Sequence, residues 1–254
     1  MYLATVLIEP NRWSPERGPA FSWCEDTGQG FAEAGFSGVE LWQGHWLHSS
    51  KKQKQWMRQS PCPVRIFSYY GLPEDRPDGL LVEVAEYFSD SLTGIKFNLG
   101  SQEADFSIEC NRVACWAAAL PGKARLLCEC HGGTTMQTPE AARAAFAGWP
   151  PRIEAILHPF VGGSAALWFD ALGTRITHLH LQCREQGAWV DPQPSLAAVQ
   201  QGLQILRERQ FSGTASLEFI AAIREEHHPK ALLAEAARVR AAWSGQGTAW
   251  GDLP

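Results

Sequence analysis

Short apolar runs alternate with longer stretches of helical periodicity along nearly the whole chain, and Gly, Pro, Asn or Asp separate them. Runs of this kind, rich in β-branched and aromatic residues, read as buried strands. They occupy 2–8 (YLATVLI), 38–42 (GVELW), 64–70 (VRIFSYY), 94–99 (GIKFNL), 125–131 (RLLCECH), 154–158 (EAILH), 176–182 (ITHLHLQ) and 214–219 (TASLEF). Between them the pattern predicts a helix ending near Ala34, with Gly35 at its C-cap, and helices over 51–60, 79–88, 106–120, 139–149, 162–172, 196–209 and 228–243. Pro61 and Pro121-Gly122 stop two of these helices, and Thr138-Pro139-Glu140 opens another. Residues 43–50 and 184–193 read as loops, the second long and polar, and 244–254 as an irregular tail that packs through Trp250.

Strand and helix in unbroken alternation predict a parallel sheet with helical crossovers, and eight such pairs close a barrel. The expected architecture is therefore α/β: one single (β/α)8 TIM barrel domain over residues 1–254, with a short irregular C-terminal tail. The rival is an open doubly wound sheet. Against it, no GxGxxG follows the first run, and polar residues stand at many strand ends instead of at one switch point.

Composition narrows the partners. A formal charge of −5 argues against a nucleic-acid surface, which needs clustered Lys and Arg, and Lys51-Lys52-Gln53-Lys54 reads as a solvated helix face. The start of the chain lacks the pattern of a signal peptide, and no apolar run approaches the ~20 residues of a membrane span. A cytoplasmic location without membrane partner is expected. The seven cysteines have no CxxC spacing, so they read as reduced thiols, Cys128 and Cys130 packing against helices.

Candidate chemistry enters through strand alternation, which puts Glu129 and His131 on the face of Leu127. In a closed barrel every strand delivers its last inward side chain to one rim, so Glu129, His158, His180 and Glu218 can meet. A lone His or Glu at a strand end is more often a satisfied polar residue. Four on consecutive strands are harder to dismiss, because uncompensated buried charge is costly. Two carboxylates and two imidazoles suit a divalent metal ion, Mn, Co or Zn better than Mg.

Other polar residues divide by position. His178 lies one pleat deeper than His180 and reads as a core histidine bonded to a neighbouring strand. Lys96, inward together with Asn98, needs a carboxylate or an anionic ligand and is a candidate substrate or proton-transfer group. His131 is placed for substrate contact, and Arg184 begins the long rim loop. Trp42, His45, Trp46, Tyr69 and Trp189 fall in rim segments, where apolar faces among hydrogen-bonding groups suit a sugar ring. His227-His228, at the last helix, reads as solvated or capping.

The segments FAEAGFSGVELW (31–42), LLCECHGGTTMQTPEAA (126–142), ITHLHLQ (176–182) and FSGTASLEF (211–219) resemble, in order, the xylose-isomerase-like barrel superfamily of sugar isomerases and epimerases. That superfamily also contains dehydratases and apurinic-site endonucleases. The resemblance implies a divalent metal held by Glu, Asp, His and Glu on the fifth to eighth strands, which map onto Glu129, His180 and Glu218, with His158 where the Asp is expected. The reading that follows is a metal-dependent isomerase or epimerase of a sugar or polyol-like keto substrate, with Glu129 and Glu218 exchanging a carbon-bound proton; Trp42, His45, Lys96, His131 and Arg184, by their own positions, are the candidate substrate contacts. Alternatives are a lyase on a keto-sugar or cyclic polyol, and a non-catalytic barrel subunit or binding protein. A small carbohydrate or polyol is the expected partner, with a homo-oligomer or complex compatible.

Overall fold

The computed structural model describes residues 1–13, 17–74, 76–101, 105–162, 165–224 and 228–243. Gly163-Ser164 at the expected helix opening, His227, and the tail 244–254 with Trp250 lie outside the described residues. The apolar runs form β1 (Tyr2–Ala4), β2 (Gly38–Trp42), β3 (Val64–Ser68), β4 (Gly94–Phe97), β5 (Arg125–Glu129), β6 (Ile153–Leu157) and β7 (Ile176–Leu181). Two short strands, β8 (Cys183–Glu185) and β9 (Ala188–Val190), precede β10 (Thr214–Leu217). Consecutive parallel pairing runs from β1 to β7, then to β10 and back to β1, closing the predicted barrel of eight strands.

Helices α1 (Thr27–Glu33), α2 (Gln43–Leu47), α3 (Lys51–Arg58), α4 (Gly79–Tyr87), α5 (Phe106–Ala119), α6 (Pro139–Gly148), α7 (Ala165–Leu172), α8 (Ala197–Glu208) and α9 (Pro229–Trp243) lie between and after the strands. Their starts follow local chemistry. Ser50 and Gln53 form a reciprocal capping box on α3, and Thr138 caps α6 through the Ala141 N–H, with Pro139 at the first helical position.

Alternation along the strands makes two separate apolar layers. Outward side chains such as Leu3, Val39, Phe67, Phe97, Leu126, Cys128 and Leu179 join the helices in the main core. Inward Tyr2, Ile66, Leu127 and Ile156 form a second cluster that floors the barrel. A Cβ at Gly94 would stand 2.5 Å from Leu127 Cδ1, so glycine there leaves room for the floor. Above it, inward positions turn polar.

Three segments depart from the expectation. The first strand ends at Ala4 because the chain then turns, with Leu7 N–H donating to Ala4 O and Glu9 N–H to Val6 O. Buried Arg12 holds the Val6 and Leu7 carbonyls at 2.7 and 3.0 Å, so Val6, Leu7 and Ile8 are apolar and buried without being extended. Residues 43–47 are helical, not loop. The expected polar loop 184–193 contains the antiparallel β8–β9 ribbon, whose two-residue turn Gln186-Gly187 has positive φ at both positions, the primed geometry that matches strand twist. All seven cysteines are free thiols, and no described helix is long and apolar enough to cross a membrane.

Candidate functional site

The inward polar positions converge at the C-terminal ends of the strands. β5 presents Glu129 one pleat above Leu127, β4 presents Lys96, β7 presents His180, and His158 and Glu218 stand just past β6 and β10. Glu129 Oε1 meets His180 Nδ1 at 2.9 Å and His158 Nε2 at 3.0 Å, while its Oε2 meets Lys96 Nζ at 2.7 Å. Glu218 divides its oxygens the same way: Oε2 meets His180 Nδ1 at 3.1 Å and Oε1 lies 3.8 Å from Lys96 Nζ. Gln182 Nε2–H donates to Glu218 Oε2 at 3.0 Å and lies 3.0 Å from His158 Nδ1, which leaves the His158 ring proton on Nε2, facing Glu129.

A deeper layer supports this one. Glu40 Oε2 accepts from His180 Nε2 at 3.1 Å and Oε1 accepts from Ser68 Oγ at 2.6 Å. His178 contacts Thr214 and Ser216 at 2.7 and 2.9 Å and stacks on Tyr2, the core histidine bonded to the next strand that its depth predicts.

Electrostatics bind the layers together. Burial by itself would raise the Glu129 carboxyl, but the Lys96 charge, His180 and hydrogen bonds from both imidazoles hold it well below its ordinary 4.5. Glu40 is likewise held well below 4.5, against its burial, by His180 and His178. His180 moves the other way: burial opposes its charge, yet Glu218, Glu40 and Glu129 raise it well above 6.5. It is an imidazolium donating from both nitrogens. Lys96 is raised well above 10.5 because Glu129, Tyr70, Glu218 and Glu40 outweigh its desolvation.

The ligand atoms of Glu129, His158, His180 and Glu218 lie within 4.8 Å of one another, so one divalent ion fits among them. Such an ion would take the place of an imidazole proton on His180, the usual exchange on metal binding. Glu40, His178 and His180 form a second close trio, but both His178 nitrogens are engaged by hydroxyls.

A cavity of about 440 Å³ opens over the cluster, lined by Lys96, Asn98, Glu129, His131, His158, Arg184, Trp189 and Glu218 among others. The ribbon pairs Arg184 with Trp189, its guanidinium 3.8 Å over the indole, and Trp189 stacks on Phe219. His131 stacks parallel to His158 and bonds Gly132 O, while Gly133, at φ +88°, turns the chain away toward α6. Trp42 and His45 are not brought to this cavity. His45 is buried with Nδ1 on Thr5 and Nε2 on Glu9, and Trp42 packs edge-on against it. Trp46 is buried against Tyr87 and Phe88, and Tyr69 donates to Asp78. The residues that sequence reasoning missed are Glu40, Gln182, Trp13, Tyr70 and Phe219. Glu40 carried a signal, since in GVELW it alternates with outward Val39 and Leu41 as Glu129 does in its own strand. A cavity of about 490 Å³ at the opposite end of the barrel lacks such a cluster, and its Arg125 and Arg209 already pair with Glu154 and Asp170.

No family profile and no curated protein sequence matches the chain. Solved structures do. The 3-keto-D-glucoside 4-epimerase of E. coli superposes with a TM-score of 0.62 at 14% identity, covering 87% of this chain and 96% of its own. A D-tagatose 3-epimerase-like protein gives 0.62 at 14%, covering 93% and 96%. A xylose isomerase-like TIM barrel protein from Mycobacterium smegmatis, in complex with magnesium, gives 0.53 at 12%, covering 84% and 87%. The chain thus has the closed (β/α)8 TIM-barrel fold, which it shares with these solved structures.

Proposed function

We propose that this protein is a metal-dependent isomerase or epimerase of a sugar or polyol-like keto substrate. The observation that carries the reading is the pair Glu129 and Glu218, two buried carboxylates flanking His180 at the floor of the mouth cavity. A 3-keto-D-glucoside 4-epimerase and a D-tagatose 3-epimerase-like protein share the fold. Glu129, His158, His180 and Glu218 would hold the metal, and two imidazoles among four donors favour Mn, Co or Zn over Mg. When bound, the ion supplies Lewis-acid polarisation of a substrate carbonyl.

The rest of the chemistry belongs to the chain. Glu129 and Glu218 project from β5 and from beyond β10, so they approach a bound carbon from different sides. One, ionised, takes the proton next to the carbonyl, and the other, entering the turnover protonated, returns its proton to the opposite face, so that the two exchange protonation states as general base and general acid. His180, fixed by Glu40 from below, keeps both carboxylates in place. His131 lines the cavity where substrate oxygens would lie, and Lys96 and Asn98 stand at its wall. Trp13, Trp189 and Phe219 supply flat apolar walls at the mouth, with Arg184 beside them. Free thiols throughout accord with a reducing cytoplasm.

Solvent deuterium exchange tests the scheme. Metal-loaded wild type incubated with ketohexoses and 3-keto-glucosides is expected to incorporate deuterium next to the carbonyl. Glu129→Gln and Glu218→Gln should each slow exchange by about 10²–10⁴-fold. Full turnover in both variants would sink the proton-transfer roles. Release of water or of the aglycone would make the enzyme a lyase.

A further inference from the structure

Among the described residues one arginine and one lysine are buried, Arg12 and Lys96. Arg12 is spent on backbone carbonyls of the first turn. Lys96 is spent on the two carboxylates of the candidate metal site, 2.7 Å from Glu129 Oε2 and 3.8 Å from Glu218 Oε1. Each carboxylate therefore turns one oxygen toward the imidazoles and the other toward the ammonium. A divalent ion placed among the four donors lies within a few ångströms of that ammonium, where like charges repel strongly and little water screens them. The ion and Lys96 also draw on the same negative charge.

We propose that Lys96 is a built-in competitor of the metal: it neutralises Glu129 and Glu218 in the metal-free protein, weakens metal binding, and swings toward the cavity when the metal enters. The inference rests on the metal-dependent reading above. The direction of the swing is set by the fold. The stem leaves β4 inside the barrel, the apolar floor lies below, and the space beside Nζ opens on Tyr70, whose hydroxyl stands 3.5 Å away at the cavity wall. A displaced ammonium arrives where a substrate oxygen would lie, so metal loading would also arm Lys96 for substrate. Lys96 would then set metal affinity as a positioning residue before it touches substrate.

The test is a metal titration of the full-length, chelator-treated protein. Co(II) is followed by visible absorption and Mn(II) by calorimetry, for wild type, Lys96→Met and Lys96→Arg, with melting temperature recorded in metal-free buffer. Lys96→Met is expected to bind both ions about tenfold or more tightly than wild type. Its metal-free melting temperature should fall, because two carboxylates lose their cation. Lys96→Arg, which keeps the charge, should stay within a few fold of wild type. A merely structural lysine would lower the melting temperature without tightening metal binding, and equal or weaker binding by folded Lys96→Met overturns the proposal. If that variant does not fold, Lys96→Gln is titrated with the same expectation. No Co(II) or Mn(II) binding by any of these proteins would remove the metal reading itself, and the inference with it.

Discussion

His45 and His180 are both fully buried imidazoles beside carboxylates, yet their surroundings drive them in opposite directions. His180 faces Glu218, Glu40 and Glu129, which together overcome desolvation and hold it charged. His45 has a single carboxylate, Glu9, and burial prevails, lowering its value below 6.5. Thr5 accounts for the neutral form: its hydroxyl accepts the Trp42 N–H and donates to His45 Nδ1, which leaves Nε2–H for Glu9. The consequence is a pH dependence of stability. A histidine depressed in the folded state contributes stability that is full above 6.5 and lost as pH falls, and His178 has the same sign. Glu9, held below 4.5 by His45 and three backbone N–H groups despite its burial, adds a further loss as pH falls below that value. The melting temperature should therefore decline from about pH 6.5 downward. His45→Gln, which keeps a donor and an acceptor, should flatten the part of the decline that begins below pH 6.5 in a calorimetric series. An unchanged slope would mean that His45 does not titrate as its surroundings dictate.

At the scale of elements, periodicity found the strands and missed what their neighbours impose. The apolar run 2–8 is buried throughout, but only its first residues reach a partner strand, and Arg12 satisfies carbonyls of the turn that follows. An apolar run reports burial and leaves backbone conformation open. The ribbon β8–β9 escaped because its strands are short and half exposed, leaving Gln186-Gly187 as the usable turn signal. Packing between β4 and β5 gives a direct test. Gly94→Ala forces a Cβ against Leu127 and should destabilise by roughly 1–3 kcal/mol, read as a lower urea midpoint. In a Leu127→Ala background the same change should cost markedly less, since the obstructing side chain is gone. Equal costs in both backgrounds would show that the clash is relieved elsewhere.

For the whole molecule, closure of the sheet turns scattered strand ends into one site, and metal binding should report on the fold that gathers them. Adding Mn, Co or Zn to chelator-treated protein is expected to stabilise it by about 2.7 kcal/mol at a hundredfold excess over Kd, seen as a rise in melting temperature that Glu218→Gln diminishes. No rise with any of the three ions would leave the cluster as a hydrogen-bonded core. Alternation and punctuation alone determined the barrel, its eight strands, the inward direction of Glu129, His180 and Glu218, and the convergence of these residues with His158, because a closed parallel barrel has one rim for strand ends. The same alternation made Glu40 legible in principle. Only the tertiary structure decided that Lys96 lies on the two carboxylates, that Glu40 holds His180 from beneath, and that His45 is satisfied by Thr5 and Glu9 away from the cavity. The physical reason is that side-chain period fixes which face a residue takes, whereas its partner is fixed by register, loop path and the balance of burial against charge between segments remote in sequence.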